Sequence, residues 1–181
     1  MLNLRNVLHY MNRIAAIIVL VFSICAVSTA LAKSNSKYSL GVRQHVDHSV
    51  YSELPFGDGD LSYGIAYEFH ENEAFWQVAL EYAPNLSGTN SLDYAITPQL
   101  NLLFADGYWR AGLGLLQTYV SGTDNDDWTD LYWQFLFGIH LGKSTKPELD
   151  VYAHYVFESW SDLGDFDSED IEFGLWLSFP L

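Results

Sequence analysis

From Tyr38 onward, apolar and polar side chains alternate along the chain. In "LSYGIAYEF", Leu61, Tyr63, Ile65, Tyr67 and Phe69 fall on one face, and Ser62, Gly64, Ala66 and Glu68 on the other. A period of two is strand spacing. Eight segments share it, at 38–47, 61–70, 75–85, 92–104, 108–120, 131–142, 149–160 and 170–179. Each is roughly ten residues long, the length a tilted strand needs to cross a bilayer. The connections alternate as well. "HENE", "ADG" and "GKSTKPE" are turn-like, whereas "HSVYSELPFGDGD", "NLSGTNS", "SGTDNDDWTD" and "SDLGDFDSED" are mostly longer and acidic. The two classes occupy opposite ends of the strands.

The pattern predicts an all-β fold, an eight-stranded antiparallel up-and-down transmembrane β-barrel with short periplasmic turns and longer outer loops. A soluble eight-stranded barrel would alternate in the same way, so side-chain volume has to decide between the two. One face carries many large groups, among them Trp76, Tyr82, Tyr94, Trp109, Trp133, Phe135, Phe137, Tyr155, Phe157 and Phe173. The other carries Gly41, Gly64, Ala79, Gly112, Gly114, Gly138, Gly142 and Gly174 among polar residues. An eight-strand lumen is narrow, so the bulky face must look outward, into lipid. Aromatics gather near both ends of that face. Tyr38, Phe69, Trp76, Phe104, Trp109 and Phe179 lie at the turn side, and Tyr63, Tyr82, Tyr94, Tyr119, Trp133 and Phe157 at the loop side, as in two interfacial girdles.

The first 32 residues change the compartment. They hold Arg5 and Arg13, no acid, an apolar run from Ile14 to Val27 and small residues near Ala30 and Ala32, the arrangement of a secretory signal cut after Ala32. Met11 would open an equally complete signal. The domain assignment is therefore a signal peptide at 1–32 and one barrel at 33–181. Cys25 leaves with the signal, so no disulfide or thiolate chemistry is expected. Loss of the two arginines takes the formal charge from −15 to −17, which disfavours nucleic acid as a partner.

The last strand, "EFGLWLSFPL", has to close on the first, because an open edge in lipid leaves backbone groups unpaired. Glu172, Gly174, Leu177 and Phe179 resemble the C-terminal assembly signal of outer-membrane barrels, with Pro180-Leu181 following where phenylalanine would end it. As a pattern the mature chain is similar to small eight-stranded outer-membrane proteins of the OmpA, OmpX and OmpW kind. That resemblance implies the outer membrane of a Gram-negative bacterium, a monomer, and as partners outer-membrane lipid, lipopolysaccharide and the barrel assembly machinery.

By parity the interior receives Arg43, His45 and Asp47, Glu68 and His70, Glu81, Arg110, His140, Asp150, His154 and Glu158, and Glu172. Acids outnumber bases there, so Arg43 and Arg110 are expected to be shared among carboxylates. This network reads as a polar plug in a barrel with a structural or surface-interaction role. The alternatives are a narrow small-solute or cation channel and a lipid A-modifying acyl hydrolase. For the last, closure of the barrel brings His45, His154 and Glu172 near one another, a base with an acid. "HYVFESWSD" resembles the His-x-Ser region of PagL-type lipid A deacylases, but Val156 stands where the serine nucleophile belongs, so no catalytic residue is assigned. In the loops, Asp124, Asp126, Asp127, Asp130, Asp165 and Asp167 are candidate oxygen ligands for a loosely held Ca2+ or Mg2+. No other cofactor is implied.

Overall fold

A sheet of strands that each bury one face removes its exposed edges by closing on itself. The computed structural model describes residues 36–47, 54–84, 86–87, 92–122, 126–142 and 147–181, and in these the sheet closes. The described residues form β1 (Ser36–Gln44), β2 (Leu61–Glu71), β3 (Ala74–Ala83), β4 (Leu92–Asp106), β5 (Trp109–Leu116), β6 (Tyr119–Gly122), β7 (Asp127–Trp128), β8 (Tyr132–Leu141), β9 (Glu148–Phe157) and β10 (Ile171–Pro180). Eight staves make the barrel, β6 continuing β5 and β7 pairing only with β6. All neighbouring pairs are antiparallel. The signal peptide expected at 1–32 and the turn residues Lys143 and Lys146 lie outside the described residues.

Closure runs through the terminal strands, as the alternation required. Tyr38 sits opposite Phe179 and Arg43 opposite Gly174. The Tyr38 and Phe179 rings stack at 5.0 Å on the outer wall, and the amide of Leu181 donates to the Ser36 carbonyl at 3.0 Å.

Several stave boundaries differ from the sequence reading, among them the first stave, which ends at Gln44 and not at 47. The segment expected over 108–120 is interrupted at Gln117 and Thr118, opposite Pro98 in β4. Proline brings no backbone donor to a ladder, and the Gln117 amide reaches the Pro98 carbonyl only at 3.4 Å. Thr118 instead takes Thr129 as partner, at 2.8 Å backbone to backbone. The third and seventh staves end earlier than expected, at Ala83 and Phe157.

The bulky face looks outward. Leu40, Ile65, Phe104, Phe137 and Phe173 keep 51%, 60%, 58%, 54% and 60% of their surface exposed. The inner face is less polar than parity alone suggested, because two apolar clusters share the lumen with the charges. One holds Phe75, Leu103, Leu136, Tyr152 and Trp176. The other lies at the loop end and includes Leu54, Phe56, Leu116, Tyr132 and Val156. The Trp176 indole lies along the inner wall over the bare backbones of Gly41 on β1 and Gly64 on β2, where any Cβ would collide with it. Those glycines are a socket for one large side chain as well as a general concession to a narrow interior.

Candidate functional site: the ionisable interior

Neighbouring strands set the contacts here, since residues in register on one face approach within about 5 Å at Cβ. Arg43 lies between Ser62 of β2 and Gly174 of β10, and Glu172 of β10 faces His154 of β9. Near the loop end this register gathers Arg43, His45, Ser62, Glu81, His154 and Glu172, all at most 2% exposed. Arg43 Nε donates to Glu172 Oε2, and its Nη1 lies 3.9 Å from Glu81 Oε2 and 3.2 Å from Gln134 Oε1. His45 Nδ1 is 3.0 Å from Glu172 Oε1, while its Nε2 is 3.1 Å from Ser62 Oγ. Ser62 Oγ donates to Glu81 Oε2 at 3.0 Å.

Below this group lies a belt of amides. Gln134 Nε2 donates to Gln99 Oε1 and to Asn101 Oδ1, both at 2.8 Å, Asn101 Nδ2 to Gln77 Oε1 at 2.9 Å, and Gln77 Nε2 to Glu68 Oε1 at 3.2 Å. Gly114 makes room for Asn101 in this belt.

A second ionisable group occupies the turn end. Glu68 Oε2 meets His70 Nε2 at 2.9 Å, and Glu68 Oε1 accepts from Ser39 Oγ at 3.1 Å. Ser39 lies 2.7 Å from Ser178, which reaches Asp150 at 3.5 Å. Asp150 Oδ1 is 2.8 Å from His140 Nδ1 and 3.9 Å from Arg110 Nε. Lys37 pairs with Glu148. Hydrogen bonds therefore run without a break from His45 through the amide belt to Glu68, His70, Asp150 and His140.

Of the interior residues expected from parity, Arg43, His45, Glu68, Glu81, Arg110, Asp150, His154 and Glu172 are buried and His70 and His140 partly so. Asp47 and Glu158 are corrections. Asp47 is exposed beyond β1, and Glu158 is exposed on the bend after Phe157, because the staves end before parity can aim either side chain inward. Arg43 is shared by two carboxylates as expected. Arg110 meets one, at 3.9 Å, and spends Nη1 on the carbonyls of Gly107 and Trp109 at 3.2 and 3.0 Å. His154 lies beside Glu172 on the neighbouring strand, but its Nδ1 faces Gln134 Oε1 at 3.2 Å and its Nε2 has no protein partner.

Sequence reasoning missed Ser62. It places a hydroxyl, an imidazole and a carboxylate in the order of an acyl-transfer triad. Alternation gives its inward aim, but only the register between β1 and β2 brings it to His45. What surrounds the three residues gives them a different job. Ser62 commits its proton to Glu81, Arg43 occupies Glu172, and the Phe56 ring stacks on His45 at 3.7 Å. Arg43 and Ser62 pair with one another in the β1–β2 ladder, and Arg43 also pairs with Gly174 of β10. Phe56 belongs to residues 54–60, which fold across the loop end. Asp60 holds them there, accepting from the amides of Gly57 at 2.9 Å and Ser87 at 2.8 Å.

The loop acids serve their own backbones. Asp126 accepts from Ser121 Oγ at 2.8 Å, Asp127 from the Trp128 amide at 2.8 Å and Asp167 from the Glu169 amide at 3.0 Å. Asp130 and Asp165 are exposed, and Asp124 lies outside the described residues. Among the described residues no three His, Cys, Asp or Glu side chains converge as a metal site. In the C-terminal pattern, Glu172 and Gly174 are buried on the inner face, Leu177 is exposed outward and Phe179 stacks on Tyr38.

No protein-family model and no curated protein matches the sequence. Two solved structures are similar to it at low identity. One is Ail, the attachment invasion locus protein of Yersinia pestis, 12% identical over 81% of this chain and 96% of that chain with a TM-score of 0.39. The other is Neisserial surface protein A, 14% identical over 79% of this chain and 91% of that chain with a TM-score of 0.42.

Proposed function

We propose that this chain is an integral β-barrel of a Gram-negative outer membrane, with a solid polar interior and a structural or surface-interaction role. The observation that carries the reading is an inversion of polarity. Leu40, Ile65 and Phe173 are exposed outward at 51%, 60% and 60%, while Arg43, Glu81 and Glu172 are buried at 2%, 2% and 1%. In water that arrangement strands an apolar band far larger than a soluble monomer exposes, and in lipid it is the stable one. The end holding Ser36 and Pro180 is then periplasmic, the longer loops face outward, and lipid, lipopolysaccharide and the assembly machinery are the partners.

Two features favour a plug over a conduit. Trp176 and the amide belt fill the middle of the lumen, and carboxamides bonded to one another neither open a water path nor pass a proton by exchange. Residues 54–60 cover the loop end. Hydrolysis of lipid A is disfavoured because the Ser62 hydroxyl is committed to Glu81 and Glu172 to Arg43.

The test is fractionation of the expressed protein with and without heating before electrophoresis. Recovery in outer membranes with a heat-dependent mobility is expected, and a soluble periplasmic product would overturn the reading. Planar bilayers containing the protein are expected to show no conductance steps, and lipid A acylation is expected to be the same with and without the gene.

A further inference from the structure

Two outward-facing aromatics are hidden where the wall should be bare. Tyr155 pairs across the sheet with Phe135 and Ile171, and Phe157 with Trp133, so both share the outer face with Phe135, which is 37% exposed. Yet Tyr155 is 7% exposed and Phe157 0%. What covers them is the loop between β9 and β10. Its first 3-10 turn is Asp162–Asp165, and Trp160, Leu163 and Phe166 recur at every third residue before, within and after that turn. Trp160 meets Phe157 at 5.3 Å and Trp133 at 5.4 Å, Phe166 meets Tyr155 at 4.8 Å, and Leu163 packs against the loop-end cluster to which Tyr155 and Phe157 also belong. The loop has folded down the outside of the barrel. Its contacts descend from Phe157 to Tyr155, two strand residues or roughly 6–7 Å.

These three side chains are only half used by the wall. Trp160 and Phe166 keep 52% and 56% of their surface exposed, and a Cβ on Gly164 would meet nothing within 4 Å. The exposed rings are continuous with the outward band of Phe135, Phe137 and Phe173 on β8 and β10. Whatever solvates that band solvates the rings.

We propose that the β9–β10 loop is a membrane-seated strap, with Trp160, Leu163 and Phe166 clamped on Tyr155 and Phe157 and with the open faces of Trp160 and Phe166 in contact with outer-leaflet acyl chains. This rests on the transmembrane reading above. It reassigns a loop whose acids alone suggested full exposure to water. The strap widens the lipid-facing surface at one side of the barrel, over β8, β9 and β10, and gives that side an aromatic shelf at the interface, where indole and phenyl rings are favoured.

The experiment uses the full mature protein folded into phosphatidylcholine vesicles, with a nitroxide on a single introduced cysteine at Phe166→Cys, Leu40→Cys or Asp130→Cys. Collision with oxygen is compared with collision with a water-soluble nickel chelate. Position 40 is expected to be oxygen-accessible, position 130 nickel-accessible, and position 166 to behave like position 40. A nickel-accessible 166 beside an oxygen-accessible 40 overturns the strap and leaves the barrel reading intact. A nickel-accessible 40 overturns both.

A readout without a label in the strap compares wild type with Trp160→Phe. The emission lost on substitution is expected to be the part quenched by brominated lipid and spared by iodide, and iodide quenching of that part would overturn the proposal. Leu163→Asp is expected to release the strap, moving Trp160 from lipid quenching to iodide quenching while heat-dependent mobility is kept. Unchanged lipid quenching of Trp160 in that variant would show that these side chains do not hold the loop.

Discussion

Replacing Arg43 by leucine removes the one guanidinium in the loop-end cluster and leaves its carboxylates behind. Glu172 keeps His45 at 3.0 Å, but Glu81 keeps only the Ser62 hydroxyl at 3.0 Å, and its other oxygen already lacks a protein partner. Gln134 also loses a donor at 3.2 Å. Breaking a buried pair by removing one member costs about 3–5 kcal/mol, because the remaining charge stays desolvated. Arg110→Leu is a milder loss. Asp150 retains His140 at 2.8 Å, and the arginine's own short contacts are to two carbonyls at the turn. Loss of such hydrogen bonds costs about 1 kcal/mol. The two variants should therefore differ by about 2 kcal/mol or more, over tenfold in the unfolding equilibrium. Urea titration of protein folded in lipid vesicles, followed by electrophoretic mobility and tryptophan emission, measures both. Adding Glu172→Leu to Arg43→Leu should cost less than the sum of the single losses, with a coupling of about 1 kcal/mol or more. Equal stability of the two arginine variants, or an additive double variant, would show that Arg43 is not the hub of the network.

Further outcomes follow from packing. Gly41→Val should sharply reduce folding yield, because its Cβ would enter the Trp176 indole, and Trp176→Ala in the same chain should restore much of it; failure of that rescue would mean the glycine serves backbone geometry instead. Phe56→Ala should uncover His45 without producing conductance in planar bilayers, since Trp176 and the amide belt remain, and current steps in this variant would place the barrier in residues 54–60. Gln134→Leu should destabilise the barrel in urea by about 1–3 kcal/mol, as it strands partners on Arg43, Gln99 and Asn101 together. Truncation after Ser178 should abolish outer-membrane accumulation, by removing the Phe179 stack on Tyr38, whereas loss of Pro180 and Leu181 alone forfeits the short 3.0 Å amide bond to Ser36 and should be tolerated.

The staves were readable because a period of two assigns every residue to a face without reference to any other strand. Thus the inward aim of Arg43, Glu81 and Glu172 and the outward aim of Ile65 and Phe137 followed from local sequence alone. The break at Gln117 and Thr118 did not, because its cause, Pro98, sits on the neighbouring strand and acts only once β4 and β5 are in register. Glu158 was placed inside by carrying alternation past Phe157, a residue whose burial comes from the strap and not from the lumen. The acids of "SDLGDFDSED" drew attention away from the Trp160, Leu163 and Phe166 spacing, which matches neither the strand period nor an extended acidic loop.

Contacts inside the barrel required a second quantity that parity does not carry, the height of each residue along the axis. Strand register sets that height, and a shift by two residues keeps every side chain on its face while exchanging all of its partners. Ser62 shows the consequence. Its inward aim was evident from Gly64 and Glu68 on the same strand, but its place between His45 and Glu81 depends on Arg43 pairing with Ser62 and Gly64 with Glu81. The same dependence explains why the charges form two groups and not one. The register inserts Gln77, Gln99, Asn101 and Gln134 at one level, so every acid–base pair is confined to the loop end or the turn end. A lumen ordered this way satisfies its charges locally and carries at mid-depth side chains that cannot ionise, which is the arrangement the proposed plug requires of a wall that must stay folded in lipid without leaking.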